Sequence, residues 1–247
     1  MQTGVIIVAA GSGERLGYGI PKAQVPLAGE PILAYALRGV IASGIADAIC
    51  VAVPRHDETL RQVCGEVSEA MAADGTDCPP VLAIDGGTSR TDSVREALAT
   101  LQGVDAVLVH DAARALAPPE VFQRVATALA HGGEAVIPVR EMTDTVKMVE
   151  HSDNAAIAQD MVRETPDRTR LRVVQTPQGF TLQALTRAHA AADLFDDQQA
   201  AAVTDDAMLV ESMGIPVYAV PGSDLSLKIT TETDLVLAEA LLQKYGS

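Results

Sequence analysis

The chain has 247 residues, 48% of them hydrophobic, but only 3% are aromatic and there is no tryptophan. Such aliphatic wealth suits layered α/β packing, in which strands are buried on both faces and helices lie close against them. The formal net charge of −15 excludes general binding to nucleic acid or to an anionic membrane surface, and it makes any local cluster of cations informative.

Met1-Gln2-Thr3 leads straight into an apolar run, with no basic region and no small-residue cleavage site. No apolar stretch approaches the ~20 residues of a membrane span, so a cytoplasmic protein is expected. Cys50, Cys64 and Cys78 are widely spaced and lack a Cys-x-x-Cys pair, which predicts isolated thiols rather than a zinc site or a disulfide framework.

Residues 4–10 are continuously apolar and end in glycines, the pattern of a buried parallel strand. Helical periodicity follows over 31–41, with Pro31 suited to a first turn. A strand is predicted at Ala48–Val53, a helix from about Asp57, a strand at 81–84 and a helix at 91–101. Another strand, helix and strand follow at 106–110, 119–131 and 135–139. This alternation predicts a doubly wound, mainly parallel sheet with its ligand crevice beyond the carboxyl ends of the strands.

Residues 140–175 break the rhythm. Segments 145–149 and 155–162 are expected to pair as strands around the polar turn 150–154, forming an arm that covers an active site or grips a second subunit. Beyond it, helices are predicted at 182–192, 205–213 and 232–244, and strands at 217–220 and 227–229. Residues 1–247 therefore read as one domain with an inserted β-arm.

The first strand opens into Ala9-Ala10-Gly11-Ser12-Gly13-Glu14-Arg15-Leu16-Gly17. Glycines at a strand end let backbone N–H groups approach a phosphate. A dinucleotide fingerprint needs glycine where Leu16 stands, and an ATPase loop needs Gly-Lys-Ser/Thr where Gly17 is followed by Tyr18. What remains is Arg15 with Pro21-Lys22 shortly after it, a cation pair better suited to a triphosphate. Lys228, between Leu227 and Ile229 in a predicted strand, calls for an anionic partner. Asp111, ending a buried strand, suits a ribose hydroxyl or a divalent cation beside phosphates. His110 reads as a structural strand-end residue.

Ala-Ala-Gly-x-Gly-x-Arg-Leu followed by Pro-Lys resembles the nucleotide-sugar pyrophosphorylase superfamily. Further stretches narrow the match: Asp85-Gly86-Gly87-Thr88-Ser89-Arg90-Thr91-Asp92-Ser93-Val94, Val109-His110-Asp111-Ala112-Ala113-Arg114, Thr176-Pro177-Gln178-Gly179-Phe180, Thr204-Asp205-Asp206-Ala207 and Leu227-Lys228-Ile229-Thr230. Together they resemble the 2-C-methyl-D-erythritol 4-phosphate cytidylyltransferases of the non-mevalonate isoprenoid pathway.

The resemblance implies a Rossmann-like, glycosyltransferase-A type nucleotidyltransferase fold. It also implies transfer of a cytidylyl group from CTP to methylerythritol phosphate with release of pyrophosphate, supported by Mg²⁺ or another divalent cation. Nucleotide contacts fall to Ala9, Ala10, Gly11, Ser12, Gly13, Arg15 and Lys22, with Gly86, Thr88, Arg90 and Ser93 at the base and ribose, and Asp111 and Ala112 beside them. The acceptor falls to Asp111, Arg114, Thr145, Arg168, Thr204 and Lys228. Arg15, Lys22, Arg168 and Lys228 are the implied catalytic set. A homodimer is implied as well, its 140–175 arm carrying Thr145 and Arg168 into the neighbouring subunit's site. Thr88 departs from the acidic residue that some relatives have there, and Ala115 from a proline. A ribitol-5-phosphate cytidylyltransferase and a non-catalytic nucleotide-binding regulator on the same fold are the alternatives.

A phosphate monoester acceptor has its second pKa near 6 and is mostly dianionic at neutral pH. It needs no general base, which fits a chain without a Ser-His-Asp set or an activated cysteine.

Overall fold

The computed structural model describes residues 1–151 and 160–245, with the backbone alone described at positions 15, 197 and 201. In chain order the elements are β1 (Thr3–Val8), a small hairpin of β2 (Pro26–Leu27) and β3 (Glu30–Pro31), α1 (Ile32–Ala42), β4 (Ala48–Val53), α2 (Glu58–Ala73), β5 (Val81–Asp85), α3 (Arg90–Leu98) and β6 (Ala106–Asp111). Then come α4 (Pro119–Ala130), β7 (Ala135–Glu141), β8 (Met148–His151), β9 (Asp160–Glu164), β10 (Arg172–Val174), β11 (Gln178–Thr181), α5 (Leu182–Ala192), α6 (Asp197–Ala202), α7 (Asp206–Ser212), β12 (Val217–Pro221) and α8 (Glu232–Tyr245).

β5, β4, β1 and β6 are parallel neighbours in that order, with Val5 of β1 opposite Ile49 and Leu108. β11 runs antiparallel to β6 and β7; β10 is antiparallel to β7 and β12 parallel to it. The two-residue side-chain period sorts the core into layers. Val5 and Ile7 face α1, α2 and α4 through Leu37, Leu60 and Phe122. Ile6 faces α3, α5 and α7 through Val94, Leu185 and Val210. A third cluster joins Leu16 of the glycine loop and Val25 to Ile229 and Leu235, pinning the C-terminal segment beside the loop.

Helix starts follow their capping residues. Asp57 accepts from the Leu60 N–H at 2.9 Å and opens α2. Ser89 and Asp92 form a reciprocal capping box that opens α3 beside the crevice. Pro31, expected inside the first turn of α1, instead stands before it at φ −57°, ψ 140°, paired with Pro26 in the small hairpin. α3 stops at Leu98 rather than 101.

The expected strand at 227–229 is not formed. β6 has already ended at Asp111, so no ladder is there to join. The segment leaves a short 3₁₀ turn at Asp224–Ser226 and makes one backbone bond, Ile229 N–H to Ala113 O at 2.8 Å. Lys228 therefore lies on an irregular segment, not in mid-strand.

The 140–175 excursion is narrower than its sequence suggests, because residues 140–141 and 172–174 belong to the main sheet. A separate two-stranded sheet pairs β8 with β9, Val149 opposite Val162. Among the described residues these strands fall at 148–151 and 160–164, so residues 145–147 of the first expected strand are not in a strand and the second continues past 162 to Glu164. The expected turn at 150–154 lies partly, and residues 155–159 wholly, outside the described residues. Cys50, Cys64 and Cys78 are all free thiols.

Candidate functional site

The carboxyl ends of β1 and β6, with the loop that follows β5, open onto a cavity of about 410 Å³, a size that holds a small-molecule ligand. One wall is the loop after β1. Gly13 adopts φ 74°, and a Cβ there would sit 2.8 Å from the Lys22 backbone nitrogen. The Lys22 N–H donates to Gly11 O at 3.1 Å, folding the chain back so that Ala10, Gly11, Ser12 and Lys22 share the cavity. The Arg15 side chain lies outside the described residues.

The opposite wall is the loop between β5 and α3. Arg61 of α2 donates to Ala83 O at 2.6 Å and to Asp85 at 2.5 Å, fixing the end of β5. Gly86 is buried behind the wall, where a Cβ would meet Ala10 Cβ at 2.7 Å and Ser93 Oγ at 3.0 Å. Ser93 Oγ donates to Ser89 O at 2.8 Å and accepts from Gly87 N–H at 3.1 Å. Thr88 donates to Asp92 at 2.7 Å. These bonds hold Gly87, Thr88, Ser89 and Arg90 along the cavity.

Its floor is the end of β6, where Asp111 is 8% exposed. Arg90 Nε donates to its Oδ1 at 3.3 Å and Lys228 Nζ to its Oδ2 at 2.7 Å. Burial by itself would raise the Asp111 carboxyl. The Arg90 and Lys228 cations beside it outweigh that effect and hold it well below the usual carboxylate range. Lys22, Arg90 and Lys228 thus stand against one lining carboxylate, a local excess of positive charge in a chain of net charge −15.

Lys228 also borders a second cavity of about 360 Å³, with Arg114, Arg140 and Thr143. Arg114 is clamped by Ser226 O at 2.7 Å and Val174 O at 3.1 Å. The structure therefore gathers Ala9, Ala10, Gly11, Ser12, Lys22, Thr88, Arg90, Ser93, Asp111, Ala112 and Lys228 at the first cavity and Arg114 at the second. Thr145, Arg168 and Thr204 line neither cavity. Thr145 is exposed, Arg168 donates to Thr143 O, and the Thr204 hydroxyl reaches Met208 Sδ at 3.0 Å.

Two functional candidates escaped the sequence reading. Asp206 and His189 are both buried, and they join Arg90 in one ion network. The motif Thr204-Asp205-Asp206-Ala207 was the available signal, but only the tertiary packing of α7 shows which of its residues turns inward.

Among the described residues no three His, Cys, Asp or Glu side chains converge as a metal cage. Among the described residues Asp111 is the one carboxylate lining the first cavity, its oxygens accepting from Arg90 and Lys228, a donor set suited to a cation that takes one or two carboxylates and otherwise phosphate oxygens. Among the described residues no helix is long and apolar enough to cross a membrane.

His110 is fully buried, its Nδ1 3.1 Å from the Thr176 hydroxyl and its ring 4.9 Å from that of Phe122. Burial pushes its pKa from an ordinary 6.5 down to about 4. The unfolded chain then binds a proton near pH 6.5 that the folded chain refuses until about pH 4, so stability falls as pH drops through that window. This single group is expected to remove about 3 kcal/mol at most. Urea midpoints at pH 7 and pH 4.5 should show a shallower acid loss in His110→Gln than in the parent protein; equal losses would assign the acid sensitivity to other groups.

A family model described as 2-C-methyl-D-erythritol 4-phosphate cytidylyltransferase matches residues 3–244. Proteins of that name from Rhodococcus jostii and Saccharopolyspora erythraea are each 44% identical, over 97% and 98% of this chain and 94% and 100% of theirs. A crystal structure of the Thermus thermophilus protein of that name superposes with a TM-score of 0.74 at 32% identity, covering 98% of this chain and 100% of that one. The 4-diphosphocytidyl-2C-methyl-D-erythritol synthase of Anaerococcus prevotii gives 0.77 at 28% identity, covering 98% of each chain. This chain belongs to the 2-C-methyl-D-erythritol 4-phosphate cytidylyltransferase family.

Proposed function

We propose that the chain transfers a cytidylyl group from CTP to 2-C-methyl-D-erythritol 4-phosphate, giving 4-diphosphocytidyl-2-C-methyl-D-erythritol and pyrophosphate. The observation that carries this reading is the cationic cleft at the strand ends, lined by Lys22, Arg90 and Lys228 and by a single carboxylate, Asp111, which Arg90 and Lys228 pair. The cytidine half lies along the wall of Gly87, Thr88 and Ser93, and the triphosphate lies against the glycine loop and Lys22. The acceptor phosphate enters from the second cavity, between Arg114 and Lys228.

No proton need be removed from the acceptor, which attacks the α-phosphorus as a dianion. The chain's work is to bring two anions into line and to stabilise the charge on the five-coordinate phosphorus. Lys22 and Arg15 serve the triphosphate side; Lys228, Arg114 and a partner's arm serve the acceptor side. Asp111, together with phosphate oxygens of the substrate, would hold a divalent cation such as Mg²⁺, which would supply charge neutralisation to the triphosphate and the leaving pyrophosphate.

The arm supports a homodimer. Met148, Val149, Met161 and Val162 are each more than half exposed on a two-stranded sheet, an arrangement marginal without a covering partner. Arg168→Ala is expected to raise the acceptor KM far more than that of CTP. If Arg168 serves the neighbouring site, mixing Arg168→Ala with Lys22→Ala subunits restores activity that neither variant has alone, because one site of the mixed dimer is intact. Without that restoration, Arg168 acts in its own subunit.

Pyrophosphate release with CTP, Mg²⁺ and either methylerythritol phosphate or ribitol 5-phosphate tests the whole reading. Turnover with the first acceptor alone is expected. Turnover with the second alone would change the substrate, and CTP binding without turnover would leave a regulator.

A further inference from the structure

Arg90 lines the nucleotide cavity, yet its strongest contact lies behind the wall. Its Nη1 donates to Asp206 Oδ2 at 2.6 Å, while the bond from its Nε to Asp111 is the longer one at 3.3 Å. The other Asp206 oxygen, Oδ1, lies 3.0 Å from Nε2 of His189 on α5. His189 and Asp206 are 2% and 1% exposed. Burial alone would raise the Asp206 carboxyl, but Arg90 and His189 outweigh it and hold the group below its ordinary range. A carboxylate can only accept, so Nε2 of His189 carries the proton it donates.

We infer that His189 is a positioning residue: by tethering Oδ1 of Asp206 it fixes how the carboxylate is turned, so that Oδ2 meets Arg90 and the guanidinium is aimed at the nucleotide cavity. Without His189 the Asp206 carboxylate is free to turn and take Arg90 through both oxygens, the bidentate geometry that guanidinium prefers. Nε is then drawn from Asp111, and the wall that faces the nucleotide moves back toward α7. Among the described residues Nη2 of Arg90 is buried without a protein partner. The chain of contacts runs from α5 through α7 and α3 to β6, and no part of His189 lines the cavity itself.

The inference rests on the reading of this cavity as a CTP site, and the experiment separates the two. CTP affinity is measured by titration calorimetry, and kcat and KM by pyrophosphate release, for the parent chain, His189→Gln and His189→Asn. Glutamine places an amide N–H at the same bond count as Nε2, whereas asparagine falls short of Asp206. The Asn variant is expected to bind CTP about tenfold more weakly, the effect of one hydrogen bond to a charged group, with the acceptor KM little changed. The Gln variant should stay within about twofold, with the urea midpoint of the parent. Equal CTP affinity in the two variants would overturn the inference. Should the Asn variant not fold, Arg90→Lys decides: lysine cannot span Asp206 and Asp111 together, so unaltered CTP affinity there also overturns it. A parent chain that fails to bind CTP would instead refute the proposed function.

Discussion

Lys22→Ala is expected to lower turnover by at least ~100-fold while leaving the fold intact, the scale set by removal of one group that stabilises transition-state charge. The structure separates the two roles of this residue. Its backbone N–H closes the glycine loop onto Gly11 O at 3.1 Å, and its neighbours Ala23 and Val25 are buried at 2% and 0% exposure. Alanine keeps all of that and removes the side chain beyond Cβ, the ammonium with it. Negative charge grows on the phosphorus and on departing pyrophosphate during reaction, so the loss should fall on kcat more than on the KM of CTP. Lys22→Arg should recover only part of the rate, because a planar fork does not place its charge where a compact ammonium does. Circular dichroism and pyrophosphate release on the same preparations check both halves, and near-parent turnover in a folded Lys22→Ala protein would remove Lys22 from the mechanism. Arg15→Ala is expected to behave alike, on the strength of the motif that carries it.

Much of this site is legible in the sequence because its parts lie at strand ends, where sequence signals are local. A continuous apolar run followed by glycine announces both β1 and the loop that it feeds, and Asp111 closes β6 in the same way. Periodicity placed α5 correctly at Leu182–Ala192. Contacts that depend on distant segments were not legible. Leu227-Lys228-Ile229 has strand composition, yet with β6 finished at Asp111 it finds only Ala113 to bond. β10 and β11 follow the arm and join the sheet antiparallel, and β10's three residues carry no alternation long enough to announce a strand. The Asp206–His189 pair joins helices 17 residues apart in sequence and reaches Arg90 116 residues away, a coupling that no local pattern encodes.

That buried network also carries the largest expected effect on stability. Asp206→Ala removes the carboxylate that Arg90 meets at 2.6 Å and His189 at 3.0 Å. Arg90 retains Asp111 at 3.3 Å, but that carboxylate also serves Lys228 through its other oxygen, so one anion is left to balance two cations, and Arg90 is the more buried of them. Breaking one side of a buried ion pair costs about 3–5 kcal/mol, chiefly because the remaining charge is stranded. Against a typical total of 5–15 kcal/mol this is a large fraction, and the variant should show a markedly lower urea midpoint at an unchanged slope. Removing the stranded cation as well should return part of the loss: Arg90→Met placed on Asp206→Ala is expected to be more stable than Asp206→Ala alone, a coupling that a simple packing defect does not produce. CTP affinity need not return with stability, because the double variant has lost the guanidinium that faces the cavity. A loss below about 1 kcal/mol in Asp206→Ala would mean that Arg90 swings out to water at little cost, and that the α5–α7–α3 tie is a consequence of packing rather than one of its supports.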